Sequence, residues 1–279
     1  MAEGSVLGIR WTIGDVSDAG FEALRLSIQG ALRLFGPAAE YVVCVNTLSP
    51  GEAMRRCGWV PGRVLWRQVT RLLPSWLAAH LDHGFAQGAA WKLIPLQVFP
   101  HRHELALDND VILWDVPLAV SRWLSESRSC LVAEDVQAAF GQFAAFCEPY
   151  PRNLGIRGLP PGFDLARHMQ RVLERARGPL GSELDEQGLQ LAALQSAGPV
   201  HVVPIDEVSI CSPFPPHLPG LGRSGAHFCG LNARSLGWSF EGRPAETYVQ
   251  AHWQRQRLEV AARVAADPMC SVTSTLGAG

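Results

Sequence analysis

The sequence lacks a charge bias, a cysteine pattern and a long apolar run, and each absence argues against a class of protein. With 24 basic and 26 acidic residues the formal net charge is −2, so we expect no broad basic surface for nucleic acid. The 7 cysteines show no CxxC pair and no zinc spacing, which is typical of reduced thiols in a cytoplasmic protein. No uncharged apolar stretch approaches about 18 residues and no secretory signal pattern opens the chain, so we predict a cytoplasmic protein without a transmembrane segment.

Short apolar runs typical of strands alternate with helical patterns along the chain, which predicts an α/β fold. We interpret SVLGIRWTI, EYVVCVN, SCLVAED and VHVVPIDEVSI as strands, and GFEALRLSIQGALRLFG and DEQGLQLAALQSA as helices. The segment PSWLAAHLDHGFAQGAAWKLIPLQVF is expected to give one or two helices. Two segments rich in proline and glycine, CEPYPRNLGIRGLPPGFD and CSPFPPHLPGLGRSGAHFCGLN, are expected to form loops. The tail AETYVQAHWQRQRLEVAARVAA is typical of an amphipathic helix.

The stretch ELALDNDVILWD places Asp108, Asn109 and Asp110 inside an otherwise apolar run. Asp and Asn favour turns, and a turn here would make LAL and VIL the arms of a tight hairpin. Because such arms are shorter than the usual strand of about five or six residues, we expect one strand that reaches a sheet edge. In an extended chain Asp108 and Asp110 share a face and Asn109 points away. Two carboxylates on one face suit a hard divalent cation that also binds substrate phosphates.

Lysine is nearly absent, because Lys92 is the one lysine among the 24 basic residues. A general drift toward arginine explains the others, so either chance left this lysine on a solvated helix face or a site requires it. The compact ammonium group fits between phosphate oxygens or against a sugar hydroxyl, where the planar arginine fork cannot always replace it. Since Lys92 precedes the DND stretch on an expected helix, we expect its side chain to lie near the aspartates.

The segment WKLIPLQVFPHRHELALDNDVILWDVPL resembles the core of metal-dependent glycosyltransferases of the GT-A fold. It is most similar to glycosyltransferase family 8, the glycogenin and galactinol-synthase type, in which a Lys or Arg precedes a D-x-D motif. Three further matches follow in the same chain order. RNLGIRGLP resembles the family's N-x-G segment, DEQGLQLAAL its D-Q motif, and HFCGLN the start of its H-x-x-G-x-x-K-P motif.

The resemblance implies a GT-A fold, a Rossmann-like single mixed central sheet flanked by helices, over roughly residues 5–240. It leaves the C-terminal helix unexplained. We therefore predict a glycosyltransferase domain over 1–240 and a C-terminal helical extension over 241–279 packed on the same domain. Because the polar face of that helix lacks a basic excess, we expect it to pack on the domain rather than bind a membrane.

The resemblance also implies the site residues. The metal ligands would be Asp108, Asp110 and His227. The residues acting at the diphosphate, the sugar and the incoming hydroxyl would be Lys92, Asn153, Asp185, Glu186 and Gln187, with either Asp185 or Glu186 in the acid position. The donor contacts would be Lys92, Asp108, Asn109, Gly155, Gly230 and Arg234. Since ligands of open α/β sheets bind outside the carboxyl ends of strands, we also expect Trp11 and Thr12 to frame the nucleotide base.

The chemistry implied is transfer of a sugar from a nucleoside-diphosphate sugar, a UDP-sugar, to a hydroxyl acceptor, with retention by family analogy. The cofactor would be Mn²⁺, with Mg²⁺ as the alternative, because carboxylates suit hard ions and imidazole suits the later transition metals. The sequence departs from the family where Ala233 replaces the lysine of the histidine motif. Arg234 is the nearest cation to this position.

Each motif also has a plain structural interpretation. DEQGLQL fits the acidic first turn of a helix, NLGI fits a turn, and His227 fits a core histidine. Two other functions stay open. ALDNDVIL fits the D-x-D signature of haloacid-dehalogenase-like phosphatases, although their motif follows the first strand and their lysine lies downstream. The Ala233 departure also fits a catalytically inactive module that binds nucleotide sugars.

Overall fold

The computed structural model describes residues 7–70, 72–81 and 92–266. Its strands are β1 (Leu7–Ile13), β2 (Ala39–Val45), β3 (Val64–Gln68), β4 (His103–Asp108), β5 (Val111–Leu113), β6 (Cys130–Glu134), β7 (Arg152–Leu159), β8 (Val200–Val203), β9 (Val208–Ile210), β10 (Gly225–His227), β11 (Ser239–Phe240) and β12 (Arg243–Pro244). Its helices are α1 (Asp18–Phe35), α2 (Pro50–Cys57), α3 (Ser75–Ala78), α4 (Leu118–Leu124), α5 (Leu165–Leu173), α6 (Glu183–Gln195) and α7 (Ala245–Ala265).

A seven-stranded sheet in the order β3-β2-β1-β4-β7-β6-β8 forms the centre of the fold. Strands β3, β2, β1 and β4 run parallel, and β7 pairs antiparallel with both β4 and β6. One apolar core packs α1 against β1, β2 and β4, and another packs α5 and α6 against β6 and β7. The predicted α/β architecture, with one mixed central sheet flanked by helices, is confirmed.

Local chemistry explains where the main helices begin and end. The hydroxyl of Ser17 accepts a hydrogen bond from the Gly20 amide and caps α1, and Ser182 caps α6 in the same way through the Asp185 amide. Helix α1 ends at Gly36, whose φ of 60° suits a residue without a side chain.

The turn interpretation of the DND stretch is correct, but the turn does not join the arms of a hairpin, and the expectation of one continuous strand is wrong. Strand β4 ends at Asp108, Asn109 and Asp110 form a turn, and the chain continues as β5 in a separate sheet of order β5-β10-β9. The expected strand VHVVPIDEVSI is likewise divided between β8 in the central sheet and β9 in the small one. A local pattern cannot show that a chain leaves one sheet for another.

Two further expectations are corrected. Within the expected loop CEPYPRNLGIRGLPPGFD, residues Arg152–Leu159 form β7, an inner strand whose glycines leave room for neighbouring side chains; a Cβ on Gly158 would lie 2.6 Å from Leu131. Of the one or two helices expected before the aspartates, the described residues contain only the short α3 (Ser75–Ala78), and residues 92–99 form a 3₁₀ turn and bends. The part of that prediction at residues 82–91 lies outside the described residues.

Helix α7 packs against α1 and the small sheet. The indole of Trp253 donates to Glu22 at 2.8 Å, and Trp253, Val260 and Val264 lie buried in a shared apolar cluster. The packing agrees with the expected placement of this helix, while the boundary at 240 stays a prediction and residues 267–279 lie outside the described part. None of the described helices combines the length and apolar character needed to cross a membrane.

Candidate active site

Polar side chains from several strands meet at one edge of the central sheet. Asp108 ends β4, and Thr12 is its neighbour on β1. Because β7 runs antiparallel to β4 and β6, its first residues, including Asn153, lie beside the last residues of both strands. Asp135 directly follows β6 at the same edge. This is the edge at which open α/β sheets bind ligands.

The turn after β4 and the small sheet bring Asp108, Asp110 and His227 together. One ligand atom from each lies within 4.8 Å of the others, and this is the one such cluster among the residues that the structure describes. Nε2 of His227 lies 3.7 Å from Oδ2 of Asp108 and 3.4 Å from Oδ1 of Asp110. The small sheet fixes this approach, because His227 pairs with Val111 and the Phe228 amide donates to the Asp110 carbonyl.

The two carboxylate oxygens of Asp110 differ in their hydrogen bonding. Its Oδ2 accepts a hydrogen bond from Nδ2 of Asn232 at 3.0 Å, but its Oδ1 is buried and has no hydrogen-bond partner among the described residues. A buried, incompletely paired carboxylate is costly, and a cation between Asp110, Asp108 and His227 would satisfy it. The donor set of two carboxylates and one imidazole therefore fits a divalent metal such as Mn²⁺.

Glycine at position 155 makes room for the histidine. A Cβ there would lie 2.5 Å from Cε1 and 2.6 Å from Nδ1 of His227, and 2.9 Å from Oδ1 of Asn153. The same Oδ1 accepts a hydrogen bond from the Gly155 amide at 2.7 Å. The N-x-G segment thus packs directly against the imidazole, which explains a glycine at this strand position without a turn.

Lys92 reaches the cluster of Asp108, Asp110 and His227. Its Nζ lies 2.6 Å from Oδ2 of Asp108. Burial by itself would lower the pKa of Lys92, but the carboxylates of Asp108, Glu186 and Asp110 outweigh that effect and raise it. Lys92 is thus a fixed positive charge at the edge of the cluster rather than a residue on a solvated helix face.

Glu186, and not Asp185, faces this charge cluster. Asp185 is turned away, because its two carboxylate oxygens accept hydrogen bonds from the amides of Gln142 and Gly181, each at 2.9 Å. The expectation that Asp185 acts in the site is wrong. Glu186 is only 1% exposed. Its burial raises its pKa to about 7, against the opposing effect of Lys92 and with a further increase from Asp108.

The raised pKa of Glu186 gives a testable dependence of stability on pH. The unfolded state loses this proton near pH 4.5 and the folded state near 7, so the contribution is complete below about pH 4.5 and is lost as the pH rises to about 7. Each unit of pKa difference corresponds to about 1.4 kcal/mol. We expect urea unfolding in EDTA to show that wild type loses stability relative to Glu186→Gln between pH 5 and 7.5. Identical pH dependence in the two proteins would contradict the raised pKa.

Thr12 and Trp11, two other predicted residues, point to opposite faces of the sheet because side chains alternate along β1. Thr12 lies on the same face as Arg10 and, with Lys92 and Asp108, lines a small cavity at the site. Trp11 points to the opposite face, is fully buried and donates its indole N–H to Ser27 at 2.8 Å. The expectation that Trp11 frames a nucleotide base is therefore wrong.

Asn109 supports the cluster but does not face the site. It is 5% exposed, donates to the Gly20 carbonyl, and exchanges hydrogen bonds with Asn232, which in turn holds Asp110. Its expected role as a donor contact is corrected to support of the Asp110 carboxylate.

The other predicted residues, Gln187, Gly230 and Arg234, make no described contact with Asp108, Asp110 or His227. Gln187 donates to the Ala139 carbonyl at 3.0 Å, and its side-chain oxygen accepts from the Leu154 amide. Gly230 has a φ of 84°, in the left-handed region that favours glycine. Arg234 is paired with Asp15, Nη1 to Oδ2 at 3.1 Å, and does not contact the described metal cluster.

Two site residues escaped the sequence analysis. Oδ2 of Asp135 accepts a hydrogen bond from Nδ2 of Asn153 at 3.0 Å, and its Oδ1 lies 3.8 Å from Nε2 of His217. Burial by itself would raise the pKa of Asp135, but His217 and Asn153 outweigh it and the pKa lies below its usual value. The position of Asp135 after the strand SCLVAE was a usable signal. His217, in a proline-rich loop, gave none.

No protein-family model and no curated protein sequence matches this chain. Solved structures do resemble it. The galactosyltransferase LgtC, in complex with donor and acceptor sugar analogues, has a TM-score of 0.56 at 12% identity over 94% of this chain and 98% of LgtC. The bifunctional glycosyltransferase WbbM has a TM-score of 0.54 at 14% identity over 94% of this chain and 52% of WbbM. The glycosyltransferase GlyE of Streptococcus pneumoniae TIGR4 has a TM-score of 0.50 at 9% identity over 92% of this chain and 62% of GlyE. At such identities the likeness concerns the fold, and the predicted GT-A fold is confirmed.

Proposed function

We propose that this chain is a metal-dependent glycosyltransferase that moves a hexose from a nucleoside-diphosphate sugar, a UDP-sugar, to a hydroxyl acceptor with retention. The observation that carries the proposal is the Asp108, Asp110 and His227 cluster with Lys92 held against it. The fold shared with solved glycosyltransferases supports it. Membership of glycosyltransferase family 8 is part of the same proposal.

Asp108, Asp110 and His227 would hold Mn²⁺, or Mg²⁺ as the alternative. When bound, such an ion stabilises the negative charge that grows on a diphosphate leaving group. Lys92 adds a second positive charge beside Asp108, in position to contact the same oxygens. Burial by itself would lower the pKa of His227, but Cys229 and Asp110 outweigh it and raise that pKa, so binding of a metal to the neutral imidazole would displace a proton.

The other side chains would orient the reacting groups. Asn153, Gln187 and Glu186 lie around the sheet edge and would position the donor sugar and the incoming hydroxyl. Asp135 and His217 extend this polar edge toward the loop at 212–219. Thr12, Gly155 and Gly230 remain proposed donor contacts, and Arg234 would serve only if it leaves Asp15.

A haloacid-dehalogenase-like phosphatase would carry its D-x-D motif at the end of its first strand. Here Asp108 ends β4, after three other strands of the described chain. No observation favours that function. An inactive binding module differs from the proposed enzyme only in turnover, so the same assay separates the two.

A screen of nucleotide sugars tests the proposal directly. We expect one UDP-sugar to stabilise the protein in the presence of Mn²⁺, by about 2.7 kcal/mol at 100 times its dissociation constant. We also expect slow release of UDP when that donor is incubated without acceptor, and none in EDTA. Binding without hydrolysis would indicate an inactive module. Release of phosphate from p-nitrophenyl phosphate would indicate a phosphatase.

A further inference from the structure

The segment that carries Lys92 is buried but has no regular structure. Residues 92–99, here the Lys92 segment, form a 3₁₀ turn and bends, while Leu93, Ile94, Leu96 and Phe99 are buried. Buried backbone N–H and C=O groups need partners, and here no helix or strand ladder supplies them. The segment therefore depends on side chains from elsewhere in the fold.

Three buried charged residues supply those partners. Arg10 donates to the Pro95 carbonyl at 2.9 Å and to the Lys92 carbonyl at 3.4 Å. Arg157 donates to the Leu96 carbonyl at 3.0 Å. Oε2 of Glu104 accepts from the amide of Phe99 at 2.7 Å and from the amide of Val98. Together these hydrogen bonds hold the Lys92 segment at both ends.

Arg10, Glu104 and Arg157, here the buried triad, are held in place by strand register. Arg10 on β1 and Arg157 on β7 both pair with Ala106 of β4, and Glu104 lies two residues before Ala106 on the same face. Oε1 of Glu104 lies 3.0 Å from Nε of Arg10 and 3.4 Å from Nη2 of Arg157. All three residues are 2% exposed or less.

The triad also reaches Glu186. Nη1 of Arg157 donates to the side-chain oxygen of Gln190, and the amide group of Gln190 donates to Oε1 of Glu186. Arg157 thus contacts the Lys92 segment through Nη2, and through Nη1 it contacts Gln190, which in turn bonds to Glu186. A rigid planar fork can do this, whereas the single ammonium of lysine cannot bridge the same three acceptors.

We infer that the buried triad is a positioning device for the active site: it fixes the Lys92 segment, and through Gln190 it fixes Glu186. The inference rests on the proposed function, because it assigns the triad to the placement of groups that act on the donor. A triad that served stability alone would affect melting but would not selectively alter the Lys92 segment or turnover.

The test compares Arg157→Lys and Arg10→Lys with wild type. Each variant keeps its positive charge beside Glu104 but loses some of the hydrogen bonds to the carbonyls of the Lys92 segment. Arg257→Lys is the matched control, since Arg257 pairs with Glu22 at 3.1 Å on α7 and α1 and does not contact the Lys92 segment. Hydrogen–deuterium exchange of peptides covering 92–102 and UDP release from the donor are both measured, with Mn²⁺ present.

We expect faster exchange in 92–102, with α7 peptides unchanged, and a fall in kcat on the order of 10²-fold with the donor KM little altered. Arg257→Lys should match wild type in both measurements. Wild-type exchange at 92–102, an increase spread evenly over the chain, or unchanged kcat would each overturn the inference.

If a lysine variant fails to fold, Gln190→Leu tests whether the link from Arg157 to Glu186 matters for turnover, and we expect a lower kcat. A wild-type protein without nucleotide-sugar hydrolysis refutes the proposed function, while the exchange data still decide whether the triad holds the segment.

Discussion

Replacement of Asp110 or His227 by alanine is expected to abolish Mn²⁺-dependent donor binding while the fold persists. Each change removes one of three ligands from a site that has no other carboxylate or imidazole in the described cluster. The loss should exceed the roughly 10–100-fold that removal of an outer hydrogen-bond partner typically causes. Among the described residues Asp110→Ala removes one side-chain hydrogen bond, from Asn232, and the ion pair with His227, so we expect the metal-free protein to lose some stability but to keep its fold.

Two controls sharpen this test. Asn232→Ala removes the hydrogen bond to Asp110 but no ligand, so it should weaken Mn²⁺-dependent binding by the smaller, 10–100-fold amount. Asp206→Ala removes an exposed carboxylate and should leave binding unchanged. Isothermal titration of the donor with and without Mn²⁺ measures the effect, and melting in EDTA reports the fold. Metal-dependent binding that survives in either ligand variant would remove that residue from the site.

Lys92→Arg is expected to lower turnover on the order of 10²-fold although it preserves the charge. Nζ of Lys92 lies 2.6 Å from Asp108, and a planar guanidinium group would place its charge at a different distance and angle from the same carboxylate. A displacement of about 1 Å in a group that contacts the reacting atoms can account for a loss of that size. Steady-state hydrolysis of the donor, together with the melting temperature, measures both consequences.

The two explanations of this lysine differ in the outcome. A lysine left by chance would tolerate arginine, with stability within about ±0.5 kcal/mol and unchanged turnover. Arg223→Lys, the reverse substitution at the exposed ion pair with Asp206, serves as the control for exchange of one cation for the other. Wild-type turnover in Lys92→Arg would refute the functional role of Lys92 even if both aspartates proved essential.

The order of the sequence motifs correctly predicted which residues meet at the candidate site, whereas local sequence patterns predicted the strand boundaries less well. The structure brings Lys92, Asp108, Asp110 and His227 together as the motif order indicated. The geometric reason given for the two aspartates was wrong, because a turn and not an extended strand aligns them. Similar oxygens can converge through different backbones, and residue types alone do not distinguish these.

Neighbouring residues of one motif could not be separated from sequence. Asp185 and Glu186 occupy adjacent helical positions and point in different directions, as do Trp11 and Thr12 on a strand. Which of the two faces the site depends on the side of the sheet that α1 covers and on the contacts of Asp185 with Gly181 and Gln142. These contacts join residues that are far apart in the chain, so no local sequence pattern predicts them.

By itself the sequence determined the α/β class and the residue types of the candidate site. These follow from periodicity and from the limited chemistry that suits a divalent ion and a diphosphate. Tertiary structure alone decided which strand joins which sheet, that RNLGIRGLP is an inner strand, and that the buried triad holds the Lys92 segment. The physical reason is that pairing between strands and burial of charge depend on partners far along the chain, and a local window does not contain them.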